Sequence, residues 1–235
     1  ECLVMGDSPA LAAVRRLLIK DVVLDGRVTD VVIAGNRFES LHSAVDDDFD
    51  DVIACHSRLA IVPPFYNAHT HAAMTLLRGF ADDLELEDWL TDHIWPAEAE
   101  LTAADIDAGS RLAILEMIKS GTTSFCDMYI FEEETARAAQ EAGMRCLLGE
   151  VLFDFPSPNY QTPQEGLAYT RGLLERWAGD PLIRIAVEPH ALYTCSRPLL
   201  VEARNLADEF EVPLALHLLE NAAEKRHLHD QLGQG

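Results

Sequence analysis

The sequence predicts an α/β fold: a small sheet, then strand–helix units wound into a parallel sheet. Three observations carry this. Short β-branched runs separated by turn residues fill residues 17 to 62. From Leu59 onward, apolar runs of strand length alternate with helical stretches that have recognisable ends. Two of those apolar runs deliver histidines at their C-terminal ends, where folds of this class carry their chemistry.

In the small sheet, Leu17 to Leu24 is followed by the Asp25-Gly26 turn, Val28 to Ala34, the Gly35-Asn36 turn, and Arg37 to Leu41. Turn signals at that spacing predict antiparallel hairpins. The acidic run Asp46 to Asp51 reads as a solvated loop rather than a metal site. Later strands are predicted at Leu59–Val62, Thr122–Met128, Arg145–Leu152, Ile183–Glu188 and Val212–Leu218. Helices between them show their ends. Thr102 with Asp105 forms a capping box and Gly121 closes that helix. Gly143 ends the helix containing Glu134 to Ala142. Thr162, Pro163 and Glu165 supply cap, first-turn proline and capping carboxylate, and Ser196 is placed to cap the helix running to Phe210. Five such units are counted, whereas a closed barrel needs about eight. The units from 59 onward are therefore either an open fold or the front portion of a longer barrel, and the expected organisation is an extension over 1–16, a small β part over 17–58 and the catalytic strand–helix part over 59–235.

The 235 residues are 49% hydrophobic, ample for a core, with no apolar stretch long enough to cross a membrane. The apolar patch before Ile19 is interrupted by Arg15 and Arg16, unlike a secretory signal, and the first residue is not Met, so the true start is expected to be missing or processed. A net charge of −22 argues against nucleic acid and for a small neutral or zwitterionic ligand. Five cysteines (2, 55, 126, 146 and 195) without a C-x-x-C pair argue against zinc knuckles and redox motifs, and for a reducing, cytoplasmic setting.

His69-Thr70-His71 follows the turn-like segment 63–68. Residues i and i+2 of an extended chain face one way, so two imidazoles there can grip one cation. Pro213 to Leu218 delivers a third, His217, with Glu220 three residues on. Three neutral imidazoles with an open coordination position, beside an acid, predict metal-dependent hydrolysis with Glu220 moving protons. Taken singly, each residue has a plainer reading. His69 and His71 could be surface groups, His217 a satisfied core residue, Glu220 a helix-start carboxylate, His190 a turn cap and Glu98 a solvated acid. His42, His56 and His93 read as surface or packing residues. His227 and His229, at i and i+2 of a helical stretch, diverge and are rejected as a metal pair. Trp95 and Trp177 read as packing. H-E-x-x-H and the P-C-x-x-C deaminase signature are absent.

The segment Pro64 to Gly79, Asp88-Trp89-Leu90, His93 to Glu98, Gly121-Thr122-Thr123, Asp127-Met128-Tyr129, Pro189 to Cys195 and His217 to Glu220 together resemble, in order, the amidohydrolase superfamily. The similarity is to its 5-methylthioadenosine/S-adenosylhomocysteine deaminase and triazine chlorohydrolase branch, over residues 17 to about 230. The resemblance implies a TIM-barrel (β/α)8 hydrolase fold, here about its first five units, plus part of a small β-sandwich. It implies one divalent metal, zinc or alternatively iron, held by His69, His71 and His217. It also implies Glu220 as proton shuttle and substrate contact, His190 on the substrate ring, Glu98 on ribose hydroxyls and Trp89 as a pocket wall. The three lysines, Lys20, Lys119 and Lys225, miss the strand ends, which favours one metal over a lysine-bridged pair. The implied activity is hydrolytic deamination of methylthioadenosine, adenosine, S-adenosylhomocysteine or a related aminated heterocycle. Alternatives are chloride hydrolysis on a triazine or pyrimidine ring, or an inactive fragment or binding module. The family's strand-six His and strand-eight Asp lie outside these residues, so the bare chain is expected to need a further segment. Glu150 stands where the branch commonly has a substrate-binding Arg and is expected to disfavour carboxylate-bearing substrates. Pro64 for a usual Gly and Cys55 for a common Asp are expected to be structural. Nucleic-acid and membrane partners are not expected, and oligomeric state stays open, a homodimer included.

Overall fold

The computed structural model describes residues 15–42, 48–222, 224–226 and 229. Cys2, His227 and most of the expected 1–16 extension lie outside them, as do Asp46 and Asp47 of the acidic run. The chain divides into two compact units, Glu1–Pro63 and Pro64–Gly235.

The first unit holds strands β1 (Arg16–Leu24), β2 (Arg27–Ala34), β3 (Arg37–Ser40) and β4 (Asp51–Ala54), in the order β3-β2-β1-β4. Asp25 and Gly26 both have positive φ, 50° and 76°, the backbone a tight two-residue hairpin needs, and Leu24 pairs with Arg27. Gly35, at φ 59°, turns β2 into β3 in the same way. These three strands are antiparallel as the turns predict, but β4 joins parallel to β1, which the turn pattern could not announce. Val22, Val31 and Cys55 form the core of this unit.

Leu59–Val62 is not the first strand of the second sheet. Val23 donates to the Leu59 carbonyl and Ile61 donates to the Val23 carbonyl, so this run lines up with β1. Pro63 and Pro64 carry no N–H and end it.

The second unit begins with β5 (Phe65–Thr70), followed by a 3₁₀ turn over Ala72–Leu77 and helix α1 (Leu86–Trp89). A π-turn over Leu90–Ile94 leads into α2 (Trp95–Glu98). Pro96 lacks the N–H for an i−4 bond and crowds that carbonyl, and the wider turn before it relieves both. Helix α3 (Ala103–Ser120) starts at the Thr102–Asp105 capping box and ends at Gly121, φ 83°. Then come β6 (Thr122–Tyr129), α4 (Glu132–Ala142), β7 (Arg145–Leu152), α5 (Pro163–Arg176), β8 (Ile183–Ile185), β9 (Glu188–Pro189) and α6 (Arg197–Phe210). Strands β5-β6-β7-β8 form a parallel sheet, and β9 pairs with β7. The fold is therefore α/β with a parallel sheet. A core of Leu148, Ile183, Ile185, Leu173, Leu199 and their neighbours joins the sheet to its helices.

Three further sequence expectations need correction. Ile183–Glu188 is broken into β8 and β9, with Ala186 and Val187 donating to Leu148 and Pro213 carbonyls instead. Val212–Leu218 is no continuous strand; it touches the sheet through isolated bridges at Leu214 and His217. Ser196 precedes α6 but does not cap it, because its hydroxyl donates to Asp154.

Candidate active site

The imidazoles are held by the strand end that bears them. Thr70 points away from its flanking histidines and bonds back to β6, donating to the Cys126 carbonyl at 2.8 Å and meeting Asp127 Oδ1 at 2.5 Å. The same carboxyl oxygen accepts the Ala72 N–H at 2.6 Å. Asp127 thus ties down the Thr70 side chain before His71 and the Ala72 backbone after it. His71 Nδ1 donates to the Met128 carbonyl at 2.5 Å, which leaves Nε2 as the ring's lone-pair donor. His217 arrives from the far end of the unit, its N–H bonded to the His190 carbonyl at 2.8 Å.

The three rings converge. Centroids lie 4.9 Å apart for His69–His71, 5.0 Å for His69–His217 and 5.3 Å for His71–His217. One potential ligand atom from each lies within 4.8 Å of the others, the one such group among the described residues. Burial, then the neighbouring imidazoles of His71 and His69, lower the His217 pKa to about 4. Burial and His71 also lower that of His69, against the pull of Asp127 and Glu220. Neutral nitrogen donors of this kind fit a borderline divalent cation.

A cavity opens beside the cluster, lined by His71 and His217 together with Glu220, Glu98, His190 and Trp89. Glu220 is exposed; Leu219 before it takes the left-handed conformation, φ 58°. Tyr193 donates to Glu220 Oε2 at 3.4 Å, and the Glu220 N–H donates to Glu224 at 2.7 Å. Burial pushes the Glu98 carboxyl up to about 7. The Tyr129 hydroxyl lies close to it but outside hydrogen-bond geometry, so burial governs. His190 is buried between Phe153 and Tyr193, with ring centroids at 5.0 and 5.7 Å; burial and His217 lower its pKa to about 3.

All seven residues singled out in the sequence are therefore gathered here: six line the cavity and His69 completes the imidazole cluster. Glu150 is the exception among the specificity arguments. It is fully buried, accepts the N–H groups of Phe131 and Glu132 and the Asn159 amide, and does not line the cavity. Its carboxyl is turned to these donors and makes no wall for a substrate carboxylate. Trp95, read as packing, lines the cavity, whereas Trp177 is buried and donates to Glu133. Sequence reasoning passed over Tyr193, Phe153 and Asp127. Tyr193, three residues after the strand-end His190, could have been found by that spacing; Asp127 and Phe153 stand beside no histidine in the sequence and reach the site only through the fold. The described cysteines, Cys55, Cys126, Cys146 and Cys195, are all free. No helix among the described residues is long and apolar enough to cross a membrane.

Residues 60–235 match the amidohydrolase family. A 5-methylthioadenosine/S-adenosylhomocysteine deaminase 1 from Syntrophus aciditrophicus is 72% identical over 175 residues, 74% of this chain and 40% of its own length. A 5′-deoxyadenosine deaminase from Methanothrix thermoacetophila is 43% identical over 195 residues, 83% of this chain and 45% of its own. The chain thus spans less than half the length of these curated relatives. An adenosine deaminase from Xanthomonas campestris, solved with bound zinc, superposes with a TM-score of 0.80 at 32% identity, over 94% of this chain and 53% of that one. A triazine hydrolase at 18% identity and TM-score 0.73, over 92% of this chain and 56% of that one, shares the fold. The match covers most of the chain, and this chain belongs to the amidohydrolase family.

Proposed function

We propose that the whole protein to which these residues belong deaminates an adenosine-type nucleoside by metal-dependent hydrolysis. The observation that carries this is the convergence of His69, His71 and His217 on one point, with Glu220 on the wall of the adjoining cavity. The names of the relatives support the substrate class: methylthioadenosine, S-adenosylhomocysteine and 5′-deoxyadenosine.

The site would hold one divalent cation, with zinc favoured over iron by the zinc in the Xanthomonas enzyme. Such a cation supplies acidified water, its pKa lowered from ~15.7 toward ~7. The protein's residues do the rest. His71, anchored through Nδ1 on Met128, offers a fixed Nε2. Glu220, steadied by Tyr193, takes a proton from the attacking water and returns it to the leaving amine nitrogen, which departs only once protonated. His190 hydrogen-bonds the ring. Glu98, partly protonated at neutral pH, can accept from or donate to ribose hydroxyls. Trp89 walls the cavity. With Glu150 removed from the cavity, nothing in that position selects against S-adenosylhomocysteine.

In this reading residues 64–235 are the first five units of a (β/α)8 barrel, residues 17–63 are part of a small β-sandwich, with 59–63 moved out of the barrel because they pair with β1, and 1–16 precede it. A cytoplasmic enzyme, with a homodimer among its allowed assemblies, is consistent with that arrangement. The test is ammonia release from methylthioadenosine, 5′-deoxyadenosine and adenosine by the whole protein. Turnover should stop on chelation and return with zinc. Glu220→Gln should keep the metal and lose about 10²–10⁴-fold in kcat. Stoichiometric metal without turnover on any aminopurine or chlorotriazine would replace this reading with a binding module.

A further inference from the structure

Thr194 sits behind His190, away from the chemistry, yet its hydroxyl is the hub of a small polar network. Oγ1 lies 2.8 Å from His190 Nδ1, 3.2 Å from the Ala191 nitrogen, 3.2 Å from the Ala191 oxygen and 3.9 Å from Cys195 Sγ. A hydroxyl has one proton to give. The Ala191 carbonyl already accepts two backbone N–H groups, from Cys195 at 3.0 Å and Thr194 at 3.3 Å, which fills its two lone pairs. Cys195 gives its own proton to the Leu152 carbonyl at 3.1 Å. His190 Nδ1 is the nearest acceptor and has no other partner among the described residues. The Ala191 N–H, for its part, points at Oγ1 and can only donate.

We propose that Thr194 is a positioning residue that fixes the tautomer of His190. The chain runs from the Ala191 N–H to Thr194 Oγ1, and from the Thr194 hydroxyl to His190 Nδ1. A neutral imidazole carries one N–H, and the partner of one nitrogen decides which. The proton is therefore on Nε2, the nitrogen left for the cavity that His190 lines. Two consequences follow from that single proton. The site presents a hydrogen-bond donor, so the bound heterocycle must offer an acceptor there, an unprotonated ring nitrogen in the nucleoside reading. A protonated Nε2 also cannot ligate a cation, although the His190 ring is only 5.0 Å from that of His217. Thr194 thereby keeps a fourth imidazole out of the coordination sphere and a position open for water. The identity of the acceptor rests on the nucleoside reading above; the tautomer does not.

The measurement is a long-range proton–nitrogen correlation spectrum of the whole protein with nitrogen-15 histidine at neutral pH, His190 being assigned by loss of its signals in His190→Gln. The wild type and Thr194→Ser should show the proton on Nε2 and a bare, hydrogen-bonded Nδ1. Thr194→Val should show a mixture of tautomers. Affinity of the whole protein for a purine nucleoside should fall about tenfold in Thr194→Val and recover in Thr194→Ser. A proton on Nδ1 in the wild type, or a Thr194→Val spectrum with Nε2 as fully protonated as before, overturns the proposal. Nε2 protonation that depends on Thr194, in a protein inert toward every aminopurine, upholds it and removes the deaminase reading instead.

Discussion

The imidazole cluster and the neighbouring carboxyl cluster draw on the same parallel sheet, and burial treats them in opposite ways. His71 and His217 are half-buried and His69 is exposed, so their lone pairs converge at the edge of a cavity. Asp127, Glu132, Glu150 and Glu188 are at most 1% exposed. As carboxylates, Glu132 and Glu188 find no donor for either oxygen, and Asp127 none for Oδ2, among the described residues. Burial therefore pushes Asp127, Glu132 and Glu188 up, and Glu150 to about 8. It pushes His69 and His217 down. Burial works against charge in both. It drives His69 and His217 toward the neutral form, whose lone pairs a cation can use. It favours the protonated form of the carboxyls.

That difference predicts where a metal goes. His217→Ala should abolish stoichiometric zinc binding, measured on protein dialysed against buffered zinc, with the far-ultraviolet circular dichroism unchanged. One zinc per chain retained in that variant would move the site away from the imidazoles and put the carboxyls back in contention. This is the largest effect expected of any substitution here, because three donors are the minimum such a site uses.

The imidazole cluster was legible in the sequence and the carboxyl cluster was not, for physical reasons. His69 and His71 announce themselves by the period of an extended chain, and His217 by its place at the end of an apolar run. Asp127, Glu132, Glu150 and Glu188 come from three strands and a helix start, and nothing local says that they meet. Glu150 shows the cost: read by position alone it looked like a charge facing substrate, and it is a helix-start acceptor for α4. The antiparallel hairpins were readable because glycines with positive φ sit at their turns. Strand β4, the split between β8 and β9, and the displacement of the first parallel strand past Pro63-Pro64 depend on partners distant in sequence.

Packing gives the next largest test. A Cβ on Gly149 would stand 2.2 Å from Glu188 Cγ, closer than any real contact. Gly149 is therefore the space that admits the Glu188 side chain into the interior of the unit. Gly149→Ala should cost about 1–3 kcal/mol by overpacking, read from urea unfolding. Adding Glu188→Ala should recover much of that loss, since the pair is in contact and non-additive. Additive losses would mean that the two side chains do not compete for the same space.

The smallest effect is also the one that separates the clusters by sign. A carboxyl whose folded pKa is raised holds its proton where the unfolded chain has lost it. Stability is then present below the ordinary value of 4.5 and declines as pH rises toward the folded pKa, about 8 for Glu150. A histidine with a lowered folded pKa acts the other way. For His217, stability rises with pH from about 4 to the ordinary 6.5 and is flat beyond. Between pH 6.5 and 8 only the carboxyl slope remains of these two. Metal-free protein should therefore lose stability across that window. Glu150→Gln should lose less, the slope shrinking by up to about 1.4 kcal/mol per pH unit for the one proton removed. Comparing slopes cancels whatever constant penalty the buried amide brings. Equal slopes in wild type and variant would mean that Glu150 is ionised in the folded protein across that window, held by its three donors, and the contrast between the two clusters would vanish.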